Sequence, residues 1–370
     1  MNNLKCDLII NSNARHLQPI MSGFNILHRN NLITLKQYFP GEYFSFKGNI
    51  RLVDEMFCNE MHLDVIINDS LVLHYDLSDS KHINIDALER CDFYFKRSFC
   101  SKYIEKEFST CSAAILPLGL YFLALDNSFD YASLQRDIIF NNWTSKFKVL
   151  LKHLDKTNYL SYMPYLKFFE QLPKISSEPK VLFFAKVWNP NFDGEYELTE
   201  QDKLDRIKIN EMRVKCIRQL ATEFGNCFTG GIERSEYSLQ FCDDLVIKDN
   251  DITKRSNYIK FMQEHDICVA TAGLHNSIGG KFSEYMASSK AIVSESLIYA
   301  LPGNISSGSH YLEFSSVDDC VSSVDKLLND SSLRHEMMVN NFEYYHNFGR
   351  PDVLVKNSLV AALRHKLLNV

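Results

Sequence analysis

Twice along this 370-residue chain, short apolar runs alternate with stretches of helical spacing, and a segment rich in proline, serine and charge separates the two series. That alternation constrains the fold more than any other feature, because strands that alternate with helices build a sheet covered on both faces. In the first series "CDLII" (Cys6 to Ile10), "LDVIIN" (Leu63 to Asn68), "DFYF" (Asp92 to Phe95) and "AAILPL" (Ala113 to Leu118) read as buried strands. "FNILHRNNLITLKQYF" (Phe24 to Phe39) and "SKYIEKEF" (Ser101 to Phe108) have helical spacing, while Glu42 to Asp64 shows no clean period. The separator is "LPKISSEPK", Leu172 to Lys180.

The second series opens with the strand "VLFFAKVW" and a long helix, Asp202 to Gly225, stopped by its glycine. Strands follow at "DICVAT" (Asp266 to Thr271), "AIVS" (Ala291 to Ser294) and "HYLEF" (His310 to Phe314). A capped helix then places Val317, Cys320, Val321, Val324 and Leu328 on one face. The expected class is α/β, with a first domain over 1–171, a linker over 172–180 and a second domain over 181–348. A C-terminal helix over 349–370 is expected to cross back to the first domain. Ligands of open α/β sheets bind outside the carboxyl ends of the strands, so a cleft between the domains is the expected site.

Hydrophobic residues make up 45% of the chain, enough for two ordinary cores. A net charge of −6 argues against a bulk nucleic-acid binder, and no nucleic acid is expected as partner. The ten cysteines are scattered without a C-x-x-C pair, which speaks against a zinc ribbon. With no signal peptide apparent, they read as reduced thiols of a soluble cytoplasmic protein. The longest apolar run, 13 residues from Ala113, is too short to cross a bilayer.

The segment "GLHNSIGGKFSEYMASSKAIVSESL", Gly273 to Leu297, carries the most chemistry. It leaves a strand, passes Gly279 and Gly280, and enters a short helix. Backbone without Cβ atoms can approach a ligand closely, and the helix start offers unpaired N–H groups to an anion. Phe282, Tyr285 and Met286 share the core face, while Lys281, Glu284 and Ser288 share another. A lysine at the helix start adds charge for phosphate, and a carboxylate one turn inside can accept both hydroxyls of a ribose. From the residues alone, a tight loop before a helix with solvated Lys281 and Glu284 is the favoured reading, since a glycine pair before a helix is a weak signal.

"KFSEYMASSKAIVSESL" resembles the "LEAMACGKPVV" segment of nucleotide-sugar-dependent glycosyltransferases of the GT-B architecture, two Rossmann-like domains with an interdomain cleft. "VLFFAKVWNP" resembles the first strand of that family's donor domain, and "NEMRVKCIRQLATEFGNCFTGGI" its next helix and strand. "PGNISSGSHYLEF" and "NNFEYYHNFGRPD" resemble segments closing the donor domain in bacterial capsule and O-antigen enzymes. The likeness spans residues 180–355; over 1–150 only "CDFYFKRSF" and "ILPLGLYF" suggest it. It implies Glu284 as ribose ligand, Gly279, Gly280 and Lys281 beside the diphosphate, and Lys186 as a second cation. His275, Asn276 and Ser277 would lie toward the donor sugar. Many retaining members carry a glutamate eight residues before the ribose-binding one; here that position is Asn276, which offers no carboxylate.

Outside that segment, Lys96 and Arg97 follow the strand "DFYF", where they would meet phosphate or acceptor, or serve as surface charge. Asp69 ends "VIIND" and is the best placed acceptor base, with turn capping as its other role; His74, Asp76 and Asp79 follow it. Arg213 falls among alternating charges and is expected in solvent or in an intrahelical salt bridge. Ile138 to Lys156 sets Trp143, Phe147 and leucines against lysines, a stripe for packing or for peripheral membrane contact.

The resemblance implies a cytoplasmic glycosyltransferase, at the inner face of the membrane, moving sugar from a nucleotide diphosphate sugar to a glycan or lipid-linked acceptor. Lys186, Lys281 and the helix dipole would replace a metal, so no cofactor is expected. A nucleotide-sugar epimerase of the same architecture and a catalytically idle nucleotide-binding scaffold are the alternatives.

Overall fold

The computed structural model describes residues 4–12, 14–54, 60–126, 164–194, 197–249 and 251–368. They form two compact units, one built from Met1–Lys167, Tyr299–Gly303 and His346–Val370, the other from Phe168–Ile298 and Asn304–Tyr345.

The first unit begins with β1 (Leu4–Ile9) and β2 (Ile33–Tyr38), followed by a separate hairpin of β3 (Tyr43–Phe46) and β4 (Asn49–Leu52). β5 (His62–Ile67), β6 (Leu71–Asp76), β7 (Phe93–Lys96) and β8 (Ala114–Pro117) complete a sheet of order β2-β1-β5-β6-β7-β8. Only β5 runs against its neighbours in this sheet. The carboxyl ends of β1, β2, β6, β7 and β8 therefore share one edge. α1 (Gln18–Arg29), α2 (Ile85–Arg90) and α3 (Ser101–Glu107) pack on it.

The helix expected over Phe24 to Phe39 stops at Arg29. Asn31 takes a left-handed φ of 55°, its N–H bonds to the His28 carbonyl, and the chain leaves as β2. An asparagine past the last helical residue terminates a helix in this way. The C-terminal helix, Pro351–Leu368, lies within this first unit and packs on α1. Gly23 makes the approach possible: a Cβ there would sit 2.3 Å from the Pro351 carbonyl oxygen. The Tyr75 and Ser358 hydroxyls meet at 2.7 Å in the same core.

The second unit holds β9 (Val181–Ala185), β10 (Phe228–Ile232), β11 (Ile267–Ala270), β12 (Ala291–Glu295) and β13 (Leu312–Phe314). All are parallel, in the order β10-β9-β11-β12-β13. The chain starts on β9, steps to one side for β10 and crosses to the other side for β11. That reversal opens a crevice at the carboxyl ends of β9 and β11, the place where doubly wound sheets take ligands. α4 (Glu200–Phe224) starts from a Thr199–Asp202 capping box. α5 (Glu236–Phe241), α6 (Arg255–Gln263), α7 (Gly280–Ala287), α8 (Val317–Asn329) and α9 (Ser331–Tyr344) complete the layers.

The core between α4, α8 and the sheet contains Phe183, Val214, Ile217, Val269, Val293, Cys320 and Val324. Leu327, rather than Leu328, is the fully buried residue of the last turn of α8. Residues 172–180, expected as a linker, belong to this unit, and Arg334 donates to the Ser176 carbonyl at 3.2 Å.

Candidate functional site

The crevice between β9 and β11 gathers its residues from strand ends. Lys186 follows β9, exposed, with its ammonium 4.8 Å from the Trp188 ring. Thr271 and Ala272 follow β11 and begin the loop to α7. His275 and Asn276 in that loop both adopt φ of 56°, and both are exposed. Ser277 is buried, its N–H bonded to the Leu274 carbonyl and its own carbonyl accepting from Gly273 N–H at 2.8 Å.

α7 then starts at Gly280 after its N-cap Gly279; the Phe282 N–H bonds the Gly279 carbonyl at 3.0 Å, and no side chain caps the first amides at the positive end of the helix. Gly279 has φ of −66°, and a Cβ there would meet nothing closer than the Thr271 carbonyl oxygen at 3.9 Å. Neither backbone strain nor packing in the protein itself demands glycine at this position.

Lys281 keeps part of its stem at the surface but turns its ammonium inward, donating to the Phe184 carbonyl at 2.5 Å and lying 5.3 Å from the Tyr258 ring. Burial pushes its pKa down to about 8, against the attraction of Glu284 and Glu233. A cation is thus stored in the crevice on one neutral acceptor.

Glu284, one turn further, is buried and forms a bidentate pair with Arg255 of α6: Nη1 to Oε2 at 3.1 Å and Nη2 to Oε1 at 2.5 Å. Arg255 lies against the Phe169 and Tyr258 rings. The solvated Glu284 that the residues alone allowed is not what the structure contains. The pair fixes the carboxylate in direction while leaving each oxygen further lone-pair capacity.

Arg213 corrects an expectation. Instead of standing in solvent, it is buried in α4 and reaches across the crevice, with Nε on Thr271 Oγ1 at 2.9 Å, Nη1 on the Lys186 carbonyl and Nη2 on the Ala272 carbonyl. One guanidinium therefore ties the end of β9 to the end of β11. Burial lowers its pKa to about 10, with Glu295 opposing. Glu295, at the end of β12, accepts the Ala272 N–H at 2.7 Å. Helix periodicity gives no sign of a buried arginine, and a pairing such as Arg255–Glu284 across 29 residues leaves no local signature. Glu295 had a weak signal, its place at a strand end.

In the first unit, the strand-end cations are spoken for. Lys96 is fully buried, with its ammonium 2.8 Å from Asp76 Oδ2 and 2.6 Å from Ser78 Oγ. Burial lowers its pKa while Asp76 opposes. Asp76 is itself pushed up by burial, but Lys96, Tyr94 and Ser78 hold it below the usual carboxylate range. Arg97 pairs with Asp79 at 2.5 Å and covers the Tyr121 ring at 4.0 Å. His74 is buried on Asp64 at 2.6 Å.

Asp69, the expected acceptor base, lies in a turn of the first sheet. It sits with Asn68 in the β5–β6 turn, both at positive φ, and its carboxylate accepts the Lys47 N–H at 3.2 Å. Asn68 bonds Lys5 at the start of β1, so this turn lies on the edge opposite the carboxyl ends. Both features of Asp69, its positive φ and its bond to the Lys47 N–H, are those of a turn residue.

The stripe Ile138 to Lys156 lies outside the described residues. Among the described residues, no helix is long and apolar enough to cross a membrane. No group of three or more His, Cys, Asp or Glu side chains suited to a metal ion occurs among them either.

No protein-family model matches this sequence, and no curated protein matches it. Solved structures do. The C-terminal domain of a glycosyl transferase group 1 family protein from Francisella tularensis is 15% identical, with 50% of this chain and 97% of that one covered and a TM-score of 0.34. Sucrose-phosphate synthase from Thermosynechococcus elongatus is 12% identical over 80% of this chain and 68% of that one, at a TM-score of 0.41. UDP-GlcNAc 2-epimerase from Neisseria meningitidis is 12% identical over 77% of this chain and 63% of that one, at 0.35.

Proposed function

We propose that this protein is a GT-B glycosyltransferase that moves a sugar from a nucleotide diphosphate sugar to a hydroxyl of a bacterial surface polysaccharide or a lipid-linked glycan. The observation that carries this reading is the uncapped start of α7 at the β9–β11 switch point, with Lys281 in its first turn, Lys186 following the end of β9 and the aimed carboxylate of Glu284 one turn inside. Diphosphate would take the free amides and the two lysines. Glu284, held by Arg255, would accept the ribose hydroxyls, and Gly279 would let the diphosphate come close to the backbone.

As the glycosidic bond breaks, negative charge grows on the departing diphosphate. Fixed N–H donors and ammonium groups stabilise that charge without reorganising, which is where such a site gains its rate. This scheme assigns the leaving-group charge to protein groups, so activity should survive EDTA.

The test is release of nucleoside diphosphate from a panel of nucleotide sugars with and without glycan acceptors. Acceptor-dependent release supports the transferase. Interconversion of the sugar without release would replace it with an epimerase, and binding without turnover would replace it with a scaffold.

A further inference from the structure

Beside the amino end of α7, a pocket opens between the carboxyl ends of β11 and β12, lined by Thr271, Asn276, Gly279, Phe282, Glu295 and Ser296 among others. Gly279 joins it to the helix start, so whatever enters is continuous with a group bound there. Glu295 is its acidic wall. Its Oε2 is fixed on the Ala272 N–H, while Oε1 has no hydrogen-bond donor among the described residues.

The neighbouring hydroxyls do not serve it: Ser294 Oγ donates to the Glu295 backbone carbonyl at 3.0 Å, and Ser296 Oγ donates to Glu313. Burial pushes the Glu295 pKa up, against the Ala272 N–H and the charge of Arg213. A half-satisfied carboxylate in a partly desolvated pocket lacks a donor, and a ligand can supply it. An anionic ligand group would be repelled there. A neutral group bearing O–H or N–H donors fits, with Asn276 as a second polar contact and Phe282 as the apolar floor.

We propose that Glu295 selects the sugar, its free oxygen accepting a hydrogen bond from a hydroxyl or amide N–H of the glycosyl group of the donor. This assignment rests on the donor-site reading above. It makes Glu295 a specificity-determining contact, separate from the groups that hold the diphosphate.

The experiment compares calorimetric affinities of the full-length protein for UDP, UDP-glucose, UDP-N-acetylglucosamine, GDP and GDP-mannose. In Glu295→Gln the amide oxygen can keep the Ala272 bond, so the loop should hold. In Glu295→Asp the carboxylate is withdrawn by one methylene. The wild type should bind one nucleotide sugar more tightly than its bare diphosphate. Both variants should keep diphosphate affinity within about twofold and lose roughly ten- to a hundredfold for that nucleotide sugar, the scale of one hydrogen bond to a charged group.

Diphosphate binding intact with the sugar preference also intact in both variants overturns the role of Glu295 and leaves the donor site standing. A wild type that binds diphosphate but prefers none of these sugars overturns it as well. A wild type that binds no diphosphate removes both readings together.

Discussion

Replacing Arg255 with alanine strips Glu284 of both its hydrogen bonds while leaving the carboxylate buried, at 4% exposure. Breaking a buried pair from one side costs about 3–5 kcal/mol, because the remaining charge is uncompensated. Two features of the site soften that figure. The Arg255 side chain is itself 19% exposed, and the Lys281 ammonium remains attracted to Glu284. We therefore expect a loss of about 2–3 kcal/mol, which for a unit of this size lowers Tm by roughly 5–10 °C.

Glu284→Gln should cost less, since the amide oxygen still accepts from one guanidinium nitrogen. The double variant should be less destabilised than the sum of the singles by at least about 1 kcal/mol. Calorimetric melting of the four proteins gives the cycle. The same set with Glu284→Ala added, titrated with nucleoside diphosphate, reads the functional half: Glu284→Ala should weaken binding by about 2–3 kcal/mol, some 30- to 150-fold. Arg255→Ala should weaken it too, because the carboxylate is no longer aimed. A cycle additive within about 0.5 kcal/mol, together with wild-type diphosphate affinity in Glu284→Ala, would refute the argument that the pair is a pre-aimed ligand.

Lys186→Ala and Lys281→Ala should each lower kcat by on the order of 10²-fold, more than they raise KM for the donor, with the double variant short of the product; steady-state kinetics within about twofold of wild type for both would leave the leaving group without its stabilisers. Because burial sets the Lys281 pKa at about 8, its positive charge is present below that pH and lost as pH rises through it. Diphosphate affinity should therefore fall between pH 7 and 9, with proton uptake on binding near pH 8, and both effects should vanish in Lys281→Ala. Gly279→Ala meets only the Thr271 carbonyl oxygen, at 3.9 Å, so its Tm should stay within about 1 °C of wild type while diphosphate binding weakens at least tenfold; unchanged binding would mean the phosphate does not pass over that backbone.

Where a local pattern dictated structure, the sequence was readable. The glycine after α4, the apolar runs of β9, β11 and β12, and the Ser316 cap of α8 each act within a few residues. β2 was misread because "LITLKQYF" satisfies helical and alternating periods almost equally, and the deciding feature was the left-handed Asn31 before it. The antiparallel β5 hid in a similar way, since "ND" between two apolar runs is the signal of a tight hairpin and moved Asp69 to the far edge of its sheet.

In the site, Lys281 and Glu284 were legible as neighbours on one helix face, but their present partners were not. Phe184, Arg255 and Arg213 come from other strands and helices, and such pairings are settled by the sheet order rather than by spacing along the chain.

The placement of the C-terminal helix has a consequence for the order in which the protein is made. The first unit needs Pro351 and Val355 against Gly23, and Ser358 against Tyr75, so its core cannot close until residues 351–358 have been synthesised. The second unit, ending at Tyr345, has all its strands and helices earlier. The first unit thus matures after the second, with an open groove along α1 until then. A chain ended at residue 345 should show native hydrogen-exchange protection across β9 to β13 and little across β1 to β8; full protection of both would show that the groove closes without the helix Pro351–Leu368.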